Sequence, residues 1–208
     1  MFVVKGNKTI EMEGNKVLES IEGFEKVVVD LGTGDGRFVY KNALKDPGTL
    51  YIGMDPSEKQ LKIYARDVQR KKLGNVLFVV GSIEHLPDEL EDLVEIIYVN
   101  FPWGSLLETF VKPVKYGLMN LKKLLKKGGI IKVVFGYDKL LEPSEAKRMN
   151  LPIMDLEYIK GVLIPEYKKL GLEIVEYGQF DRERQKVETT WYKRLNQSNR
   201  AWFYIVLS

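Results

Sequence analysis

The 208-residue sequence contains no cysteine and a single histidine, His85. The absence of cysteine excludes disulfides and thiolate metal sites, and one histidine does not support a histidine-rich metal centre. No apolar run approaches the roughly 18–20 residues that a membrane-spanning helix needs, and the first residues lack the apolar core of a signal peptide. We therefore expect a cytosolic protein that uses no metal and has no membrane partner.

An excess of charge of one sign is also missing, because 32 lysines and arginines against 29 aspartates and glutamates leave a net charge of +3. Such a small excess excludes neither nucleic acids nor small molecules as partners, since an average hides local clusters. The length suits one domain, and a hydrophobic fraction of 45% is ordinary for a globular protein. We expect a single domain over residues 1–208.

Apolar runs typical of buried strands alternate with helical patterns along most of the chain. Strands that are apolar on both faces and separated by helices are typical of a mostly parallel sheet covered on both sides. The last two predicted strands have no convincing helix between them, which predicts an antiparallel edge. The predicted strands are 26–32, 49–55, 75–81, 94–101, 128–137, 172–179 and 201–207, and the longer predicted helices are 56–72, 105–127 and 155–170.

Three segments fall outside this alternation. Gly6-Asn7-Lys8 lies between two short alternating runs and predicts an N-terminal β-hairpin over residues 2–12. Residues 138–154 are expected to form an irregular insertion, and residues 181–200 a basic loop that carries Trp191. The expected α/β fold therefore has a seven-stranded, mostly parallel sheet with an antiparallel edge strand, and an N-terminal hairpin.

A glycine-rich turn follows the first predicted strand of the sheet, in the stretch DLGTGDG from Asp30 to Gly36. Its glycines let the backbone turn tightly and approach a ligand, and the helix after it offers free N–H groups. Asp55 ends the second strand, where a carboxylate can accept both ribose hydroxyls of an adenosine-type cofactor. Because Asp30 would repel a pyrophosphate but attract a cation, the loop favours S-adenosylmethionine over a dinucleotide.

The same order of features resembles the class I methyltransferases, which implies a Rossmann-like fold. In that family the residues just past the third strand hold the adenine ring of the cofactor, and Ser82, Ile83 and Glu84 occupy this place. The alternative is a structural glycine turn in an unrelated α/β protein. The residues predicted to bind the cofactor are Asp30, Gly32, Gly34, Asp55, Pro56, Ser82, Ile83, Glu84 and Asn100.

The stretch NFPWG, from Asn100 to Gly104, closes the fourth strand, where such enzymes usually receive the methyl acceptor. It resembles the D/N-P-P-Y/F/W motif of DNA adenine-N6 methyltransferases, with Phe101 in place of the first proline. An aromatic ring here favours a flipped nucleobase, although a tryptophan at a strand end is more often simply packed. Trp191 is predicted to overhang the same edge of the sheet, so Trp103 and Trp191 could sandwich one base.

Four motifs, DLGTGDGR, YIGMDP, FPWGSLLE and TTWYKRL, together resemble the kanamycin–apramycin resistance methyltransferases, which modify N1 of adenine 1408 in 16S rRNA. The resemblance extends from the N-terminal hairpin to the last strand. It implies that Trp103 and Trp191 hold the flipped adenine and that Ser105 and Thr189 line the site. Asn100 departs from the family, which more often has an apolar residue there. The resemblance also implies a monomer that acts on the assembled 30S subunit and confers aminoglycoside resistance.

Basic residues cluster on the predicted helix 56–72, on the predicted helix 105–127 and around Trp191. Arginines and lysines beside an aromatic ring match the capture of a base combined with phosphate contacts, whereas the lysines at 122–127 are typical of a solvated helix face. The residues predicted to contact RNA are Lys62, Arg66, Arg70, Lys71, Arg148, Arg184, Lys193, Arg194 and Arg200.

The predicted reaction makes few demands on acid–base chemistry. Adenine N1 carries a lone pair and no proton, so methyl transfer to it depends mainly on orientation. This agrees with the lack of an obvious histidine or lysine beside the predicted acceptor site. Two alternatives stay open: a methyltransferase of another acceptor, such as DNA adenine N6 or a small molecule, and a non-catalytic RNA-binding protein of the same fold.

Overall fold

A computed structural model describes residues 1–183 and 187–208 of the chain. Its N-terminal hairpin consists of β1 (Phe2–Lys5) and β2 (Lys8–Glu11), as the sequence predicts. Gly6 has a φ of +61° in the turn, a left-handed conformation that glycine adopts at little cost. Arg184, which was predicted to contact RNA, lies outside the described residues.

In the described part of the chain, nine strands form one sheet in the order β2-β1-β5-β4-β3-β6-β7-β9-β8. The five central strands, β5, β4, β3, β6 and β7, are parallel, and β9 is antiparallel to both β7 and β8. The remaining strands are β3 (Lys26–Leu31), β4 (Thr49–Asp55), β5 (Val76–Val80), β6 (Val94–Asn100), β7 (Leu125–Phe135), β8 (Ile174–Gln179) and β9 (Phe203–Leu207).

The α/β fold, the parallel centre of the sheet and the antiparallel edge are confirmed, but the strand count differs. The sequence predicted a seven-stranded sheet and an N-terminal hairpin. In the structure, β1 pairs antiparallel with β5 through Val3 and Val79, so the hairpin adds two strands to the sheet. An unpaired edge strand tends to recruit further strands, and here the hairpin extends that edge.

Most of the helices lie between consecutive strands. Helix α1, whose Val17 is buried in the main core, was not predicted from the sequence. The α-helices are α1 (Gly14–Ile21), α2 (Arg37–Ala43), α3 (Glu58–Lys71), α4 (Gly104–Val111), α5 (Lys115–Leu124), α6 (Pro143–Arg148), α7 (Leu156–Tyr158), α8 (Ile164–Lys169) and α9 (Thr190–Leu195). A π-helical turn, Ile159–Leu163, joins α7 to α8.

The single predicted helix over 105–127 is wrong. The chain forms α4 and α5 instead, and Pro113 lies between them. Proline has no N–H to donate and disfavours a helical conformation in the residue before it, which explains the break. Lys126 and Lys127, assigned to this helix from the sequence, lie in β7.

Two segments expected to be irregular contain helices. Within 138–154 the chain forms α6, which begins at Pro143, a residue that favours the first turn of a helix. Within 181–200 it forms α9, so Trp191 lies on a short helix and not on an irregular loop. Because both segments are rich in basic and polar residues, these two helices were not predicted from the sequence.

Helices cover the two faces of the sheet, as the alternation of strand residues requires. Val28 and Val29 are neighbours in β3 and point to opposite faces. Val29 packs in a core with residues of α4, α5 and α8, whereas Val28 packs with residues of α2 and α3. No helix among the described residues is long and apolar enough to cross a membrane. With helices on both faces of the sheet, the carboxyl ends of the parallel strands meet at one edge between the two helical layers.

Candidate active site

The glycine turn after β3 forms one wall of a cavity at this edge. Gly32, Gly34 and Gly36 have φ values of +75°, +59° and +83°, in the region that favours glycine. A Cβ on Gly36 would lie 2.2 Å from the ring of Phe78, so this glycine is required by packing. A Cβ on Gly34 would meet no atom within 4 Å, which leaves its backbone open towards a ligand.

The Asp55 carboxylate is fixed at the end of β4 by two backbone donors. The N–H of Gly34 donates to Oδ2 at 2.9 Å, and the N–H of Ser57 donates to Oδ1 at 2.8 Å. Burial raises the pKa of Asp55, and these two hydrogen bonds oppose that rise. Each oxygen keeps a free lone pair, so the carboxylate could accept the two hydroxyls of a ribose.

Asp30 and Asn100 form a buried pair at the ends of β3 and β6. The Asn100 side-chain amide donates to Oδ1 of Asp30 at 2.9 Å. Burial raises the pKa of Asp30 to about 7, the hydrogen bond from Asn100 opposes this rise, and the charges of Asp55 and Asp35 add to it. The amide of Asn100, predicted to border the cofactor, is thus occupied with the Asp30 carboxylate.

The loop after β5 forms the opposite wall of the cavity. Ile83 is buried there, whereas Glu84 is exposed. The nearby hydroxyls of Ser105 and Ser82 lower the pKa of Glu84. Ser105, predicted to line the acceptor site, and Glu84, predicted to bind the cofactor, line the same cavity.

The predicted cofactor residues lie around two cavities of about 190 and 260 Å³ that share the glycine turn, Asp55 and Trp191. Gly32, Gly34, Asp55, Pro56, Ser82, Ile83 and Glu84 line the first, and Asp30 and Asn100 line the second. Carboxylates dominate the charged groups, and no phosphate-binding cation lies on the first cavity among the described residues. This donor set fits S-adenosylmethionine, which is cationic and has no phosphate.

Trp103 and Trp191 come from distant segments and line the same space. Both side chains are 44% exposed, which is unusual for an indole that serves only packing. They border the first cavity together, and they border a third cavity, of about 240 Å³, with Tyr137 and Arg200. The two exposed rings therefore flank a cavity that adjoins the cofactor walls.

Phe101 explains why the NFPWG stretch lacks the first proline of the related motif. Its φ is +55°, a conformation that the proline ring forbids, and its N–H donates to the carbonyl of Val134 at 2.8 Å. The Phe101 ring packs edge-on against Trp202 at 4.8 Å and against Tyr192 at 6.4 Å between centroids. Phe101 therefore connects the Trp103 segment to the helix that carries Trp191.

Helix α9 rests on this aromatic cluster. Tyr192 packs against Trp202, which is 1% exposed, and Thr189 caps the helix by accepting the N–H of Tyr192 at 2.9 Å. Thr189 was predicted to line the site, and it borders the second cavity. Trp202 was missed, although the apolar stretch AWFYIVL around it signalled a buried strand.

The residues predicted to contact RNA differ in their exposure and in whether their charges are paired within the protein. Lys62, Arg70 and Arg148 form ion pairs with Glu58, Asp67 and Glu145, and Arg194 lies 5.5 Å from the ring of Trp191. Arg66, Lys71 and Lys193 are exposed.

Arg200 is placed differently, because its side chain is only 9% exposed. It donates to Glu142 at 2.5 Å, to the Gly136 carbonyl at 2.8 Å and to the Ser198 hydroxyl. These partners hold the arginine at the third cavity, and no sequence signal marked Glu142 as its partner. Its predicted contact with RNA stays a prediction.

Comparisons with known proteins agree with this geometry. Residues 2–208 match the family model NpmA, described as 16S rRNA (adenine(1408)-N(1))-methyltransferase. A curated protein with that description from Escherichia coli is 35% identical over 215 residues, covering 99% of this chain and 97% of its own length.

Similar solved structures have closely related descriptions. A 30S ribosomal A1408 methyltransferase from an uncultured bacterium is 36% identical, with a TM-score of 0.80, and the alignment covers 100% of this chain and 99% of that one. A 16S rRNA (adenine(1408)-N(1))-methyltransferase variant from Catenulisporales acidiphilia, solved with its cosubstrate SAM, shares the fold, with a TM-score of 0.88 at 24% identity and coverage of 100% and 96%.

The family match spans nearly the whole chain, and it agrees with the glycine turn, the strand-end carboxylates and the paired tryptophans. The chain belongs to the NpmA family of S-adenosylmethionine-dependent 16S rRNA (adenine(1408)-N(1))-methyltransferases.

Proposed function

We propose that this protein transfers a methyl group from S-adenosylmethionine to N1 of adenine 1408 of 16S rRNA in the 30S subunit and thereby confers aminoglycoside resistance. The observation that carries this proposal is the pair of half-exposed indoles, Trp103 and Trp191, on the cavity that also contains Asp55 and Glu84. The proposed enzyme acts as a monomer in the cytoplasm, where the 30S subunit is found.

The chain would hold the cofactor through its carboxylates and its glycine turn. Asp55 would accept the ribose hydroxyls, Ile83 would pack on the adenine ring, and Asp30 would face the cationic amino end. S-adenosylmethionine supplies a methyl group activated on a sulfonium. The open Cα of Gly34 lets the backbone approach the ligand closely.

The two tryptophans would hold the target base. Stacking of a base on an aromatic side chain is worth roughly 1–3 kcal/mol per ring, which offsets part of the cost of flipping it. Methylation at N1 makes the base a cation, and indole faces attract cations. Trp103 and Trp191 would therefore favour both the bound base and the charge that develops on it.

The reaction needs orientation, and not a general base, because adenine N1 has no proton to lose. The proposed transfer also requires no metal ion bound by the protein. The cations of α3, such as Lys62 and Arg66, would contact phosphates and recognise the shape of the folded RNA.

The proposal is tested with purified 30S subunits and radiolabelled cofactor, followed by primer extension. A stop at adenine 1408 is expected with the wild-type protein. Label in DNA or in a small molecule, but not in 30S, would instead support another acceptor. No transfer to any of these would support a non-catalytic RNA-binding protein.

The role of the indoles is tested by graded substitutions. Trp103→Ala and Trp191→Ala are expected to lose methylation while keeping the affinity for the cofactor, measured by calorimetry. Trp103→Phe and Trp191→Phe serve as matched controls, because they retain a ring and should keep part of the activity. Full activity of either alanine variant would contradict the proposed sandwich.

A further inference from the structure

A hydrogen bond joins the glycine turn to the helix that carries Trp191. The hydroxyl of Thr190 donates to Oδ2 of Asp35 at 2.6 Å, across 155 positions of sequence. Asp35 lies between Gly34 and Gly36 in the turn, and Thr190 is the first residue of α9, directly before Trp191. The contact thus connects the cofactor wall of the site to one of its two exposed indoles.

The acceptor of this hydrogen bond is itself held in place. Oδ1 of Asp35 accepts the N–H of Arg37 at 3.1 Å, at the start of α2. The neighbouring Gly34 donates its N–H to Asp55. Asp55, Gly34, Asp35 and Thr190 therefore form a continuous path from the ribose-binding carboxylate to α9.

Helix α9 depends on such contacts for its position. It has six residues, and an isolated helix of this length is not stable in water. The aromatic cluster of Phe101, Tyr192 and Trp202 holds one side of it. On the side of the glycine turn, the polar contacts among the described residues are Thr190 with Asp35 and the exposed ion pair of Lys45 with Glu188. Exposed ion pairs contribute little, so the Thr190 hydrogen bond is the stronger of the two.

We infer that Thr190 is a positioning residue that makes the placement of Trp191 depend on the conformation of the cofactor-binding turn. A cofactor that orders this turn favours the position of Trp191 that receives the target base. Because such coupling is reciprocal, a captured base also tightens cofactor binding. This inference rests on the proposed function for the identity of the ligands, but its first test requires no RNA.

The first test measures how far the Trp191 ring is exposed in the free protein. In a Trp103→Phe background Trp191 is the remaining exposed indole, since Trp202 is buried. S-adenosylhomocysteine is expected to reduce the quenching of tryptophan fluorescence by acrylamide in this protein. Thr190→Val keeps the shape of the side chain but removes the donor, so it is expected to abolish the reduction, whereas Thr190→Ser is expected to restore it.

The second test measures methylation of 30S subunits with the native tryptophans. Because a hydrogen bond to a charged group contributes to stability, its loss in Thr190→Val is expected to lower kcat/KM for 30S by about tenfold. The affinity of the free protein for the cofactor should be less affected. Thr190→Ser should recover most of the loss. Glu188→Gln is the matched control, because it breaks the neighbouring ion pair without touching the glycine turn, and it should behave as wild type.

The outcomes separate the inference from the proposed function. If Thr190→Val and wild type respond equally to S-adenosylhomocysteine in the quenching test, the inference is wrong even when 30S is methylated. Equal losses in Thr190→Val and Thr190→Ser would also overturn it, since the hydroxyl would then not be the cause. If the quenching response depends on the Thr190 hydroxyl but 30S receives no label, the coupling stands and the proposed acceptor is wrong.

Discussion

The buried carboxyl group of Asp30 is expected to make cofactor binding depend on pH near neutrality. Its pKa is raised to about 7 by burial, against the opposing hydrogen bond from Asn100. Below this pKa the group is protonated and neutral in the free protein, and above it the group is an anion. The cationic amino end of the cofactor favours the anion, so its affinity should rise as the pH rises through 7.

The size of the effect follows from the fraction of ionised Asp30. If only the ionised form accepts the cofactor, the dissociation constant should be about eightfold larger at pH 6.0 than at pH 7.5. Binding at pH 6.0 should also release about 0.9 of a proton, because nearly all of the Asp30 carboxyl is protonated before the cofactor binds. The upper limit of pH 7.5 stays below the ordinary pKa of about 8 of an α-amino group, such as that of the cofactor.

Calorimetry at the two pH values, in buffers of different ionisation enthalpy, measures both quantities. Asp30→Asn is the matched control, since it keeps the shape and removes the titration. Its affinity should be low at both pH values, and its proton release smaller. Asn100→Leu removes a hydrogen bond that favours the anion, so its pH dependence should shift to higher pH. An affinity of the wild-type protein that is constant between pH 6.0 and 7.5, with no proton release, would refute the reasoning.

Substitutions at four further positions test the packing of the site and its binding of the cofactor. Phe101→Pro should destabilise the fold by about 3 kcal/mol or more, because proline can adopt neither the φ of +55° nor the hydrogen bond, whereas Phe101→Leu should cost less; thermal unfolding measures both. Gly36→Ala should lower the melting temperature because its methyl group meets Phe78, whereas Gly34→Ala should mainly weaken cofactor binding; equal melting temperatures would contradict this contrast. Thr189→Val removes the cap of α9 and should cost about 1 kcal/mol of local stability, seen as slower methylation of 30S with cofactor affinity unchanged.

Elements with strong periodicity could be predicted from the sequence. The strand at 49–55 is found at the predicted bounds, because its apolar residues all lie in the buried centre of the sheet. The glycine turn and Asp55 could be assigned to one site because parallel strands place their carboxyl ends at a common edge. Helices α6 and α9 were missed because they are short and are held by tertiary contacts, not by a local pattern of their own.

Sequence spacing also could not give the partners of polar side chains. Asn100 was assigned to the cofactor, yet its amide donates to Asp30. Arg200 was assigned to RNA, yet its guanidinium is held by Glu142 and by the carbonyl of Gly136. In both cases the residue type was informative, but the direction of its side chain depends on elements far away in the chain.

The sequence by itself determined the α/β architecture, the cofactor class and the two candidate indoles, since these depend on local periodicity and on residue types at strand ends. Only the tertiary structure decided that the hairpin joins the sheet, that α9 packs on Phe101 and Trp202, and that Thr190 reaches Asp35. The physical reason is that strand periodicity is encoded in neighbouring residues. The contact between Thr190 and Asp35, by contrast, forms only after the whole sheet has brought two remote segments to the same edge.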